Sequence, residues 1–212
     1  MIAFWVKQQD KLLQALMEHL VLTAQALAIS LALAALLTLV AMLLPRTGQL
    51  LMQVFSVLYA VPSMALLALM IPFTGLGQTT ALIVLVVYNQ YLLLRSFIEG
   101  LRGVDAAVQQ AALGMGMTRL QMLWRVQLPL ALPSIFTGIR LAIISTVSIA
   151  TIAAVINAGG LGRILFDGLR TLNTYKILWG SILSCVLALG LDGLCKLAMR
   201  LMHPKQGRSN PQ

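Results

Sequence analysis

From Leu20 to Leu44 the chain carries no ionisable side chain, and Pro45-Arg46-Thr47-Gly48 ends the run. A helix needs about 20 consecutive apolar residues to cross the hydrocarbon of a bilayer, because each residue rises only about 1.5 Å. This stretch is long enough, and it commits the chain to a membrane. Composition agrees. Only 10% of the 212 residues are charged and the mean hydropathy is +0.91, whereas a soluble domain uses about a quarter charged residues. A net charge of +9 would suggest nucleic acid in a soluble protein. Here Lys and Arg flank apolar spans and set topology, and no nucleic-acid partner is expected.

Four further spans follow the same logic. The second runs from about Leu50 to Ile71; Pro62 should kink it, with Ser63 helping to satisfy the freed carbonyl. The third runs from Thr79 to Leu94 and is closed by Arg95. The fourth starts between Leu132 and Leu141 and reaches Ile156. The fifth covers Ile177 to Leu194. Residues 1–19 mix Phe4, Trp5, Leu12 and Leu13 with Lys7, Asp10 and Lys11, the pattern of a short amphipathic helix in the membrane interface. With no small-residue cleavage site, the first apolar run reads as a retained helix, not a secretory signal. Asn157-Ala158-Gly159-Gly160-Leu161-Gly162 breaks regular helix, and Arg163 to Lys176 is a moderately polar connection. The expectation is an all-α membrane protein with about five transmembrane helices. It divides into an interfacial segment at 1–19, one membrane domain at 20–196, and a basic, disordered cytoplasmic tail at 197–212 containing Arg200, Lys205 and Arg208.

Positive charge orients the spans. The loop from Glu99 to Pro133 and the C-terminal tail are both basic and lie two spans apart, so both fall on the cytoplasmic side. The N-terminus is then outside and the C-terminus inside. The connection bearing Arg163, Arg170 and Lys176 falls outside and runs against the rule.

The Glu99–Pro133 loop is the longest polar interruption, and it reads as folded. Asp105 to Leu113 should form a short helix stopped by Gly114-Met115-Gly116. Thr118 followed by Gln121 fits a capping box that starts a second helix, on which Leu120, Leu123 and Trp124 share a face. Leu128-Pro129 and Leu132-Pro133 should end that helix and launch the next span. The result would be a compact knob at the cytoplasmic surface.

Catalytic chemistry is absent from the pattern. No phosphate-cradling Gly-rich loop with a Lys is present, so nucleotide hydrolysis is not expected of this chain. His19 and His203 stand alone, without metal-ligand spacing. Cys185 and Cys195 sit about 15 Å apart along a helix, too far to bridge. No cofactor is expected. Ionisable groups at span centres, which mark proton- or ion-coupled transport, are missing. Arg140 sits near the start of the fourth span, and Asp192 and Lys196 are spaced to pair near the inner end of the fifth; all three read as interfacial anchors. Ser145, Ser148 and Thr151 form a polar stripe on the fourth span, with Asn157 beyond it. Such a stripe either lines a watery pathway or lets helices pack closely. Tyr59, Ser63, Tyr88 and Asn89 are further pathway candidates.

Gln110-Ala111-Ala112, Gly116 and Val126-Gln127-Leu128-Pro129 resemble, in type and spacing, the signature loop of binding-protein-dependent ABC importer permeases. Gln110 stands where that family usually has Glu, and keeps its hydrogen-bonding capacity without the charge. The resemblance extends over roughly residues 19 to 195. Ala60-Val61-Pro62-Ser63, Ile71 to Gly77, Gly138-Ile139-Arg140 and Ala158 to Gly162 look like the osmoprotectant branch. It implies a coupling helix seated in a cytoplasmic ATPase, with Gln110, Ala111, Ala112, Gly114, Gly116, Met117, Thr118 and Arg119 at the contact. It also implies a second permease subunit, an extracytoplasmic solute-binding protein, a lipid environment in the bacterial inner membrane, and a solute such as glycine betaine, choline or carnitine. Alternatives are a permease for another small solute such as methionine, or a stand-alone secondary transporter or channel.

Overall fold

The computed structural model describes residues 2–202, and every regular element among them is helical. Helix α1 runs unbroken from Ile2 to Leu43, with no Gly or Pro before Pro45. At about 1.5 Å per residue its 42 residues extend well beyond the hydrocarbon thickness of a bilayer. No separate helix covers the segment expected at 1–19: among the described residues, 2–19 continue α1 without a break. The cause is one inward-facing stripe, since Leu12, Ala15, His19, Leu22 and Ala26 are all buried at helical spacing across the expected boundary.

Pro62 breaks the second span instead of kinking it. Helices α2 (Pro45–Ala60) and α3 (Ser63–Thr74) meet at 100°. Pro62 has no N–H to offer the Leu58 carbonyl, which accepts from the Val61 N–H instead. The Val61 carbonyl in turn accepts the hydroxyl of Tyr88. Neither role falls to Ser63, so that expectation is also corrected.

Helix α4 (Gln78–Arg102) is the centre of the fold and runs eight residues past the expected end at Leu94. Its Ala81, Val84, Leu85 and Tyr88 form the main core with Leu22 and Ala26 of α1, Leu66 and Leu67 of α3, and Ile149, Ala150 and Ala153 of the helix that follows the loop. Beyond α4 come α5 (Ala106–Gly114), α6 (Arg119–Met122), a π turn at Leu123–Gln127 and α7 (Leu128–Ala153). The two Leu-Pro pairs do not stop the helix: α6, the π turn and α7 are continuous. In the π turn the Leu128 N–H bonds the Leu123 carbonyl, which loosens the ladder just ahead of Pro129.

A single 3₁₀ turn (Ala154–Ile156) and a left-handed Asn157 (φ 67°) end α7. Helix α8 (Leu161–Arg170) then folds back on the start of α9 (Thr174–Met202). Of the tail expected from residue 197, the first six residues continue α9; Lys205 and Arg208 lie outside the described residues. Four helical stretches are long and apolar enough to cross a membrane, and the bent α2–α3 pair makes a fifth if it counts as one span. The helices define two ends. Arg95 and Arg102 of α4 meet the start of α2 at the loop end, while the start of α1 meets α8 and the start of α9 at the other.

Candidate functional site

The loop between α4 and α7 is built by local hydrogen bonds. The Asp105 carboxylate caps α5, accepting from the Ala107 N–H at 2.8 Å. Helix α5 ends with Gly116 in the left-handed region (φ 80°). There the Gly116 N–H bonds the Leu113 carbonyl and the Met117 N–H reaches back to that of Ala112, the paired bonds of a Schellman end. Thr118 and Gln121 then close a reciprocal capping box at the start of α6, with bonds of 3.2 and 2.9 Å.

The knob is clamped onto the membrane helices. Gln109 donates to the Val104 carbonyl at 2.7 Å, and the buried Gln127 donates to Gln109 Oε1 at 3.2 Å. Val104, Ala112 and Met122 form its buried inner face. Outward stand Gln110, Ala111, Leu113, Met115, Arg119, Leu120 and Trp124. Met115 is 71% exposed and Trp124 56%. Large apolar side chains are thus held outward on a capped support. Of the expected contact residues, Ala112 faces inward and holds α5 in place, Met117 is half-buried, and the others are exposed. The Gln109–Gln127 clamp was missed, because it joins residues 18 apart whose meeting depends on the turn between them.

The candidate pathway residues divide. Asn89 is 1% exposed and donates to Thr146 Oγ1 of α7 at 2.9 Å and to Ser30 Oγ of α1 at 3.3 Å. It joins three helices inside the chain. Ser148 and Thr151 bond carbonyls of their own helix; Ser148 lies on the exposed face of α7, while Ser145 and Thr151 are half-buried. Tyr59 packs on Tyr88 and Tyr91, with ring centroids 5.6 and 4.8 Å away, beside the break that Ser63 follows. Asn157 is exposed at the far end, in the wall of a cavity of about 710 Å³ between α1, α8 and α9.

The pairing of Asp192 with Lys196 expected from their spacing is present, and Arg140 joins it. Arg140 Nε lies 2.6 Å from Asp192 Oδ1, and Lys196 Nζ 2.6 Å from Asp192 Oδ2. Together they bridge α7 to α9 around a carboxylate that is only 7% exposed. At the opposite end, Glu18 Oε2 accepts from the Gly160 N–H at 3.0 Å. A Cβ on Gly160 would come within 2.9 Å of His19 Nδ1, so the Gly159-Gly160 pair lets the end of α7 close against α1. Among the described residues, no three His, Cys, Asp or Glu side chains gather as metal ligands.

Residues 27–206 match the profile of a family described as binding-protein-dependent transport system inner membrane component. The carnitine transport permease protein OpuCB of Listeria monocytogenes is 36% identical over 201 residues, covering 94% of this chain and 92% of that one. The glycine betaine/carnitine/choline transport system permease protein OpuCB of Bacillus subtilis (strain 168) is 33% identical over 150 residues, covering 71% and 69%. Among solved structures, that of an amino acid ABC transporter with histidines superposes with a TM-score of 0.78 over 94% of this chain and 97% of that one. At 21% identity that likeness describes the fold alone.

Proposed function

The chain belongs to the family of binding-protein-dependent transport system inner membrane components and is a permease subunit of an ABC importer, and from this premise we propose that it carries a small osmoprotectant such as glycine betaine, choline or carnitine. The observation that carries the coupling part of the proposal is the rigid knob between α4 and α7, whose Leu113, Met115, Leu120 and Trp124 face outward. A partner ATPase docks on it, with Gln110 to Arg119 at the contact. The ATPase hydrolyses ATP, and its closure moves the knob together with α4 and α7, switching the pathway between outward- and inward-facing states.

The charge distribution supports a cytoplasmic knob: Arg46, Arg95, Arg102, Arg119, Arg125, Lys196 and Arg200 lie toward its end of the molecule, in the bacterial inner membrane. A second permease subunit completes the pathway. An extracytoplasmic binding protein delivers the solute at the end where α8 lies. The named solutes of the two relatives support the substrate class, since glycine betaine, carnitine and choline all carry a trimethylammonium group.

The test is ATP hydrolysis by the reconstituted complex of permease, ATPase and binding protein, measured with glycine betaine, choline, carnitine and methionine. Stimulation by the trimethylammonium solutes is expected. Stimulation by methionine alone would overturn the substrate class. Solute flux through the permease without any ATPase would overturn the coupling.

A further inference from the structure

The cations that run against the positive-inside rule converge on one cavity. Lys11 of α1, Arg163 and Arg170 of α8, and Lys176 of α9 all line the space of about 710 Å³ at the end opposite the knob. Among the described residues, Asp167 is the sole carboxylate in its wall. Lys176 Nζ holds Asp167 Oδ2 at 2.6 Å, and this pair, with the nearby Arg170 and Lys11, holds the Asp167 carboxyl below the usual carboxylate range. Lys11, Arg163 and Arg170 themselves have no ion pair among the described residues. The cavity thus gathers four cations around one acid, a surplus of positive charge.

Its other wall is apolar, formed by Phe4, Leu12, Val155, Ile164, Phe166 and Leu169. The cavity also lies beside an aromatic girdle. Phe4 stacks on Tyr175 with centroids 5.9 Å apart, and Trp5 meets Trp179 at 4.6 Å. Paired aromatics at the ends of two spans mark the headgroup level of a bilayer. Helix α8 has the composition of an interfacial helix, with Arg163, Asp167 and Arg170 on one side and Leu161, Ile164 and Leu165 on the other. Surplus cation at headgroup depth against an apolar wall matches a phosphodiester with its acyl chains.

We propose that the cavity between α1, α8 and α9 binds the headgroup of an anionic phospholipid, with Arg163, Arg170 and Lys11 facing the phosphate and Phe4, Phe166 and Leu169 against the upper acyl chains. A soluble anion would need the cations but not the apolar wall or the girdle. The occupant is therefore a lipid of the phosphatidylglycerol class.

Trp5 and Trp179 lie beside the cavity, outside its lining, and become the chain's reporters once the third tryptophan, Trp124 in the knob, is removed by Trp124→Phe. The full chain carrying that change is reconstituted in phosphatidylcholine vesicles doped with acyl-brominated phosphatidylglycerol or, at equal mole fraction, acyl-brominated phosphatidylcholine. Stronger quenching by phosphatidylglycerol is expected, and equal quenching overturns the proposal without any further variant. Changing Arg163→Gln and Arg170→Gln should reduce the preference by about fivefold each, about twenty-fivefold together. The Arg163→Lys and Arg170→Lys pair should retain it. A preference that survives the glutamine pair overturns the assignment to these arginines. Added inorganic phosphate should leave the preference unchanged; its loss would identify a soluble-anion site and overturn the lipid.

Discussion

Arg140 of α7 and Asp192 of α9 form an ion pair 52 residues apart in the chain, Nε to Oδ1 at 2.6 Å. Asp192 is shared, because Lys196 holds its other oxygen at 2.6 Å. The two cations are not equivalent. Removing Arg140 leaves the buried Asp192 with Lys196; removing Asp192 leaves both cations, 33% and 46% exposed, without the carboxylate that joins α7 to α9. Asp192→Asn should therefore lower the melting temperature of the detergent-solubilised protein more than Arg140→Gln. The reverse order would show that Arg140 acts elsewhere.

The α4–α7 seam makes a sharper steric prediction. A Cβ on Gly138 would lie 2.4 Å from Ser96 Cβ, and one on Gly100 would lie 2.7 Å from Ser134 Cβ, so the helices touch at backbone distance, braced by Ser134 Oγ donating to the Ser96 carbonyl at 2.9 Å. Gly138→Ala should destabilise by about 1–3 kcal/mol through overpacking. Ser96→Gly removes the obstructing atoms, so the double variant should recover most of the loss in a thermal melt. Additive losses would mean that Ser96 is not the obstacle.

What was legible in the sequence follows from the range of the interactions. The stop at Gly116 and the Thr118–Gln121 box each close within a few residues, and both were readable because their chemistry is local. The spans were readable because their length is dictated by the bilayer. Long-range geometry was not. Asp192 could be paired with Lys196 from spacing, but Arg140 reaches it only once α7 and α9 pack. Pro62 announced a disturbance without its 100° size, and the Val61 carbonyl finds its partner, Tyr88, 27 residues away. Asn89 read as a pathway residue because polar groups in spans often are, while its two partners, Ser30 and Thr146, lie 59 and 57 residues away.

The pair at Asp167 and Lys176 sets a pH dependence. The Lys176 hydrogen bond and charge hold the Asp167 carboxyl below its usual range. A depressed acid contributes stability above its unfolded pKa and loses it as pH falls through the folded value. The contribution of this half-exposed pair is small, constant through neutral pH, and lost only below about pH 4. The difference in melting temperature between the wild type and Asp167→Asn should stay flat from pH 8 to about pH 5 and shrink below that. A difference that changes near pH 6 would point to another group.

Gly116 separates folding from docking. Its φ of 80° disfavours any L side chain, yet a Cβ there would meet nothing within 4 Å. Alanine and tryptophan therefore carry a similar backbone cost, about 1–2 kcal/mol for a left-handed residue, and neither clashes inside the chain at that atom. What tryptophan adds is bulk on the outward surface of the knob. Both Gly116→Ala and Gly116→Trp should insert in the membrane at near-normal levels. Gly116→Ala should keep the ATPase through purification, whereas Gly116→Trp should lose the ATPase or the solute uptake. If Gly116→Trp imports solute normally, nothing bulky approaches this turn, and the knob is not where the force of ATP hydrolysis enters.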